Sequence, residues 1–542
     1  MPPTKVAVIG SGVSGLGAAW LLAREPERFS VTVYEASNYV GGHTHTVDIP
    51  TLDKTRTVPV DTGFIVCNPV TYPNFLALLR ELRVRVDSTN MGFSVSRNKG
   101  EFEWSGDGLT GLFAQKKNMW PWAKGCGTEG GMWRIVYDVV RFHEEAKTIA
   151  IEADRLCFDN DGVPLDVPAE DKVHPLAGLT LADFFGSRDY STFFYENYIV
   201  PITAAVWSTP ADMAFDKFPI LTLFRFMRNH QLLQIGGRPK WRTVNQGSRT
   251  YVEKILANLP DVRLNTPIVS VKRPTDGGRI AVADAKGRTE LYDHVIMATH
   301  TDQALKILGE DASSEERKVL GAIKYLRNRL VLHQDTALMP KARSAWAAWN
   351  YLTKTSAELK SPVVCLTYWM NKLQPFVKLT EVGMVFATLN PLYEPKKELV
   401  LGEWEYDHPL YSAETIAAQE QLPNIQNVNG IAFCGAWTNY GFHEDGLTSG
   451  LLAATSLGAT CPFAIHMNGG FPTERVPISP PKWAVTKGVA RYDAPRAHHV
   501  AHSPEQVNKQ ANPIMEMALG LSVAVFAVIC VWFALNVDLA GM

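Results

Sequence analysis

Apolar and polar positions fall into blocks whose period changes along the chain. Val6–Ile9 is a continuous apolar run of strand length. Val13–Ala23 has helical spacing and stops before Glu25-Pro26, and Val31–Glu35 is a second apolar strand. Strand, glycine turn, helix and strand predict a βαβ unit at the start of the chain. Thr71–Val84 predicts an amphipathic helix with Tyr72-Pro73 near its first turn, and Ser248–Leu259 predicts another. Val262–Leu264, Ile268–Val271 and His294–His300 predict strands, the last buried on both faces. Strand-like runs RLVLH, VVCLTYW and MVFATLN mark the block from about Tyr325 to Asn424. A last apolar strand, glycine loop and small-residue helix occupy Phe433–Ala454.

Nucleotide-type pieces therefore recur at both ends and near the middle, separated by blocks of another character. The order predicts an α/β chain. Its Rossmann-like nucleotide-binding domain is discontinuous, built from 1–100, 240–310 and 425–465. A substrate domain of α+β pattern, 101–239 and 311–424, interrupts it. Residues 466–513 read as a tether, rich in proline and polar residues, with a basic bias over Phe471–Pro513. Met517–Val537 carries no charge and predicts a membrane-spanning helix over 515–537. The basic flank places the catalytic body on the cytosolic side of a single-pass C-terminal anchor. The start shows no secretory signal, because the first strand begins at once.

Charge changes the picture little: 53 basic residues meet 55 acidic ones, which gives no reason to expect nucleic acid as a partner. The seven cysteines are scattered without a CxxC pair. They predict reduced thiols, no disulfide framework and no metal centre.

Candidate chemistry concentrates at the two glycine clusters. Gly10-x-Gly12-x-x-Gly15 follows a strand and opens a helix at Val13. Gly10 suits a tight turn, Gly12 lets backbone approach a pyrophosphate, and Gly15 lets helix and strand pack closely. Glu35, at the end of the next strand and beside Ala36, suits a ribose diol. NAD and FAD both satisfy this half. Gly41-Gly42, His43 and Thr44 suit the second phosphate or ribityl chain of a longer cofactor, and Gly63-Phe64 would run beside a flavin. At the far end Gly435 would pass the pyrophosphate. Gly446 would start a helix whose free amides, including that of Leu447, stabilise reduced flavin. These features predict FAD.

With those residues in place, the chain resembles the flavin-containing amine oxidase and phytoene desaturase superfamily from Lys5 to about Ala459. More narrowly, DTGFIVCNPVTYPNF, AAVWSTP, WNYLT and GFHEDGLTSG resemble predicted FAD/NAD-binding proteins found beside cyclopropane-fatty-acid-synthase-like genes. The resemblance implies a GR2-type FAD-binding domain. Its implied FAD contacts are Gly10, Ser11, Gly12, Ser14, Gly15, Glu35, Gly42, Thr44, Val269 through its backbone, Gly435, Gly446 and Leu447. The chain departs from the pattern in three places: His43 stands where arginine is usual, Ala436 replaces a glutamate, and His443 replaces an aromatic beside the flavin. The lysine that usually approaches N5 has candidates only in Lys324 or the Asn328-Arg329 strand.

His443, Glu444 and Asp445 are the titratable groups expected at the ring, with His443 the catalytic candidate. The alternative is hydrogen bonding within the loop, with Glu444 and Asp445 capping their own helix. Trp437, Tyr440, Tyr368 and Trp369 would be pocket wall or core, and Ser208-Thr209 a structural turn. Leu112–Gly125 mixes aromatics and lysines as a membrane interface does, or as a buried aromatic loop does. The leading expectation is an FAD-dependent oxidoreductase that dehydrogenates or desaturates a lipid-like or other hydrophobic substrate by hydride transfer to N5. A flavin amine oxidase releasing hydrogen peroxide and a non-enzymatic prenyl-binding escort protein are the competing readings.

Overall fold

The computed structural model describes residues 2–119, 131–156, 173–234, 239–274, 278–354 and 364–467. The expected tether beyond Met467, the 515–537 span and the second half of the aromatic–lysine stretch lie outside them. Among the described residues no helix is long and apolar enough to cross a membrane.

Strands β1 (Thr4–Ile9) and β2 (Phe29–Tyr34) flank helix α1 (Val13–Ala23) as the pattern predicts. They join β5 (Val262–Arg263), β6 (His294–Met297) and β12 (Ile431–Phe433) in a five-stranded sheet ordered β12-β6-β1-β2-β5. Every pairing in it is parallel. A parallel sheet must be covered on both faces, and alternation along β1 shows how. Val6 and Val8 pack with α1 and the C-terminal helix α6 (His443–Ser456). Ala7 and Ile9 pack beneath the antiparallel sheet of Ile268–Lys272, Ile280–Asp284 and Thr289–Tyr292.

A second sheet of seven strands is ordered β11-β7-β10-β9-β8-β3-β4. Its members are β3 (Phe93–Arg97), β4 (Phe102–Ser105), β7 (Tyr325–His333), β8 (Trp349–Thr353), β9 (Cys365–Trp369), β10 (Phe386–Leu389) and β11 (Val400–Pro409). Strand β3, which falls within the expected 1–100 segment, belongs to this second sheet through its parallel pairing with β8. Helices α3 (Gly131–Arg155) and α4 (Ile220–Asn229) pack on this sheet through an aromatic core that includes Phe142, Phe184 and Phe224. Helices α2 (Pro73–Glu81) and α5 (Arg249–Leu256) instead pack on the α1 side of the first sheet.

Candidate functional site

The carboxyl ends of β1, β2, β6 and β12 converge on one edge, where a ligand of a doubly wound sheet binds. The three glycines of the first turn do different work there. Gly10 has φ +103°, and a Cβ on it would lie 2.6 Å from the Ala298 carbonyl oxygen. A Cβ on Gly15 would lie 2.0 Å from the Gly10 oxygen. Gly12 has φ −63°, and a Cβ there meets nothing within 4 Å. The fold demands glycine at 10 and 15 and leaves space at 12. That space opens at the start of α1, which no side chain caps, so its amides and dipole are free for an anion. Val13 and Ser14 carry the first of these amides, and the Ser11 and Ser14 side chains are buried beneath the turn.

Two segments close around that space. Gly41 bridges Gly12, and a Cβ on Gly42 would lie 3.2 Å from the Gly12 Cα. Glu35 accepts from the Ser11 N–H at 3.0 Å and from the Ser37 N–H at 2.8 Å, with Ala36 exposed beside it. Thr266 donates its N–H to the Glu35 carbonyl at 2.9 Å. This places the exposed Val269, at a bulge in its strand, on the same side.

The far end corrects one expectation. Helix α6 begins at His443, one turn before Gly446, and the Gly446 N–H donates to the Phe442 carbonyl at 3.0 Å. The amides left without an intrahelical acceptor are those of His443, Glu444 and Asp445, so the dipole's positive end lies there. Gly446 serves packing: a Cβ on it would lie 2.7 Å from the Val13 side chain. A Cβ on Gly450 would come within 2.0 Å of the Ser14 oxygen, and one on Gly17 within 2.6 Å of Leu447, which is fully buried. These glycines let α1 and α6 cross in contact, and both helix starts therefore open onto one groove. Gly435 is held by the Ser449 hydroxyl, which accepts its N–H at 2.9 Å. Beside it the Trp437 indole N–H is buried without a partner.

His443 stacks on Phe64 with ring centroids 3.7 Å apart, and its Nε2 lies 2.9 Å from the Tyr251 hydroxyl. Tyr251 continues to Thr44 Oγ1 at 2.7 Å. Burial pushes the imidazole down to about 3, so it is neutral. The loops carrying His43 and Phe64 are stapled by the Phe64 N–H donating to the His43 oxygen at 2.9 Å, and a Cβ on Gly63 would strike that oxygen. Asp445 accepts from the Phe442 N–H at 2.8 Å, capping its own helix, and burial raises it to about 7. Glu444 departs from the expected role. It accepts from the Asn74 and Phe75 N–H groups at 2.7 and 2.8 Å, so it caps α2. Burial raises it to about 8 against the pull of those two amides.

The inner face of β7 and β11 supplies residues that the chain pattern did not single out. His408 and Tyr406 stand over His43, with ring centroids 5.4 and 5.1 Å away, and His300 lies 6.1 Å from it. Buried Asn328 donates to His408 Nδ1 at 2.9 Å. Arg329 faces outward to Glu394 and Glu403, and Lys324 bonds the Gly321 carbonyl, so neither lysine nor arginine enters from this strand. Periodicity shows that a strand has two faces but not which loop its inner face meets, so His300, His408 and Tyr251 had no signal in the sequence. Ser208 sits in a left-handed turn with Thr209 bonded to the Trp207 carbonyl. Trp437 is core, while Tyr440, Tyr368 and Trp369 are half-buried. The Cys434 thiol is buried on the α1 side of the sheet and raised to about 12.

The groove fits a dinucleotide on its own geometry: space at Gly12, a carboxylate at Glu35, and an unpartnered indole N–H beside Gly435. Among the described residues no group of histidine, cysteine or carboxylate side chains could hold a metal ion.

Comparison with known proteins bears on the cofactor. A family model of flavin containing amine oxidoreductases matches residues 13–331, more than half of the chain. A carotenoid phi-ring synthase from Streptomyces griseus is 26% identical over 295 residues, 54% of this chain and 52% of the relative. The match thus spans about half the length of that curated relative. Among solved structures, a CLA-producing fatty acid isomerase from P. acnes has a TM-score of 0.56 at 14% identity, covering 84% of this chain and 99% of that one. Cyclohexylamine oxidase from Brevibacterium oxydans has the same TM-score, identity and coverage. These two likenesses show the fold.

Proposed function

The chain belongs to the flavin containing amine oxidoreductase family, and from that premise we propose that it dehydrogenates a hydrophobic, lipid-like substrate. It is a flavin-dependent oxidoreductase, and FAD is its cofactor. When bound, FAD supplies a two-electron acceptor for a hydride equivalent. The chain's own groups then have definable tasks. The amides at the start of α1 and the space at Gly12 would hold the diphosphate, and Glu35 the ribose diol. The free amides of His443, Glu444 and Asp445 would stabilise negative charge at the other end. Tyr251 and Thr44 fix the His443 ring, and Phe64 shields it from water. We propose His443 as the polar group that faces substrate, acting as a neutral imidazole.

One observation carries the substrate class: an aromatic wall with no free carboxylate next to α6 among the described residues. Phe442 stacks on Phe226 at 5.4 Å, His230 lies 4.0 Å from Phe226, and the Trp207 indole donates to the Tyr440 carbonyl at 3.1 Å. The acids nearby are all engaged: Asp154 by Arg225 and Arg228, Glu444 by the start of α2, and Asp445 by Phe442 and Asn439. A cationic amine would find no counter-ion there, whereas an apolar chain needs none. The name of the carotenoid relative agrees with an apolar substrate. The 515–537 stretch supports delivery from a membrane, on sequence alone, and we propose that it anchors the protein with this body in the cytosol.

Anaerobic titration of the purified yellow protein tests the reading. Bleaching of the flavin absorbance by a neutral lipid extract, with no response to a panel of primary and secondary amines, is the expected result. Bleaching by amines, with hydrogen peroxide released in air, would replace it with the amine oxidase reading.

A further inference from the structure

We propose that His43, His300 and His408 form an anion subsite over the Gly10–Gly12 turn that takes up protons when the FAD diphosphate binds. The inference rests on the FAD reading and concerns what this chain adds to it.

Three distant segments bring these rings together. His43 directly follows Gly42, whose backbone meets Gly12. His300 follows Ala298 and Thr299, which pack against Gly10. His408 projects from the inner face of β11 onto His43. The segments that carry His43 and His300 thus border the turn whose open space would receive the diphosphate, and His408 joins them through His43. The His43 and His300 imidazoles make no hydrogen bond among the described residues, whereas the His408 ring is oriented by Asn328. Tyr325 stacks on His300 at 4.4 Å and fixes that ring too. The structure has therefore placed donors whose partner is not protein.

The charge balance argues for protons. A diphosphate brings two negative charges, and a helix start offers only about half a unit. Burial keeps the three imidazoles below their ordinary range, and repulsion from neighbouring histidines adds to it for His43 and for His408, which lies at about 4, so without ligand they are neutral near pH 7. The titratable or charged groups facing them are Asp302, Asp407, Tyr325, Tyr406 and His443. Both aspartates favour the imidazolium, and a diphosphate at contact adds to that pull. Binding that raises a histidine's pKa is strongest at low pH and is lost as pH rises through the bound value. Over that window each proton taken up weakens FAD binding about tenfold per pH unit.

Calorimetric titration of FAD into the deflavinated full-length protein, in buffers of different ionisation enthalpy, reads this directly. The binding heat should change with buffer and report uptake of about one proton or more near pH 7. Kd should weaken about tenfold or more between pH 6.5 and 7.5. His43→Gln and His408→Gln should each reduce the uptake, and His43→Arg, a fixed cation, should bind FAD with less pH dependence. A wild-type heat independent of buffer, or uptake unchanged in both glutamine variants, overturns the subsite. Failure to bind FAD at any pH would instead overturn the cofactor reading.

Discussion

At the start of α1 a Cβ on Gly12 would point into open space, whereas near the start of α6 a Cβ on Gly446 would run into Val13. Gly12 stands just before one helix and Gly446 ends the first turn of another at the same groove, and both belong to conspicuous motifs. Only the first has a vacancy that protein does not use. Gly446 and Gly450 are small so that two helices can touch, and the groove at their ends is a by-product of that contact. Sequence motifs do not separate these uses. The neighbour that a missing side chain would have met does.

The sharpest way to break the comparison is Gly450→Ala, which forces a methyl group to 2.0 Å from the Ser14 oxygen. It should cost about 3 kcal/mol or more and show as lost soluble yield or lost cooperative melting. Gly12→Ala should melt within about 1 kcal/mol of wild type as apoprotein, since φ −63° suits alanine. Its FAD Kd should nevertheless rise about a hundredfold, near 3 kcal/mol, as followed by flavin fluorescence quenching. If Gly12→Ala bound FAD normally, the vacancy would have no ligand meaning.

Glu444→Gln tests the other helix start as a structural junction. It keeps one acceptor oxygen for the two α2 amides and sets a donor against the other, so denaturant unfolding should lose about 1–2 kcal/mol. The smallest effect is the pH dependence of apoprotein stability. Glu444 and Asp445 are raised in the fold to about 8 and about 7, so their stabilisation is present at low pH and lost as pH climbs through those values. His443 and His230 are depressed to about 3 and about 4, so theirs is present above the ordinary histidine pKa and lost as pH falls. Between pH 6.5 and pH 8 the wild type should therefore lose about 1–2 kcal/mol of stability relative to Glu444→Gln, which lacks that titration, read as a shift in the gap between their melting temperatures.

Much of the nucleotide-binding half was legible in the chain. Val6–Ile9, Val13–Ala23 and the strand after them obey simple periodicity, and the glycine spacing with Glu35 specifies a ligand geometry. The far helix was located but misjudged by one turn, because Asp445 caps Phe442 and starts it at His443. The Thr44–Tyr251–His443 chain was not legible. Its three members come from a loop, a helix and another helix start, joined only by tertiary packing. Glu444 misled for a related reason: an acid in a first turn ordinarily serves its own helix, and here it reaches the start of another. On the second sheet, β7 showed its apolar face but not that Asn328 points inward and Arg329 outward.

The strand order β12-β6-β1-β2-β5 interleaves residues 4–34, 262–297 and 431–433. A ribosome making this chain releases the first glycine turn long before the strand that borders it on the far edge exists. Until Ile431–Phe433 and the helix after them emerge, β6 has an unpaired edge and α1 lacks its main cover. Synthesis therefore delays cofactor capture until residue 456 has emerged, and a transcript truncated before residue 431 should yield aggregate in place of a smaller flavoprotein.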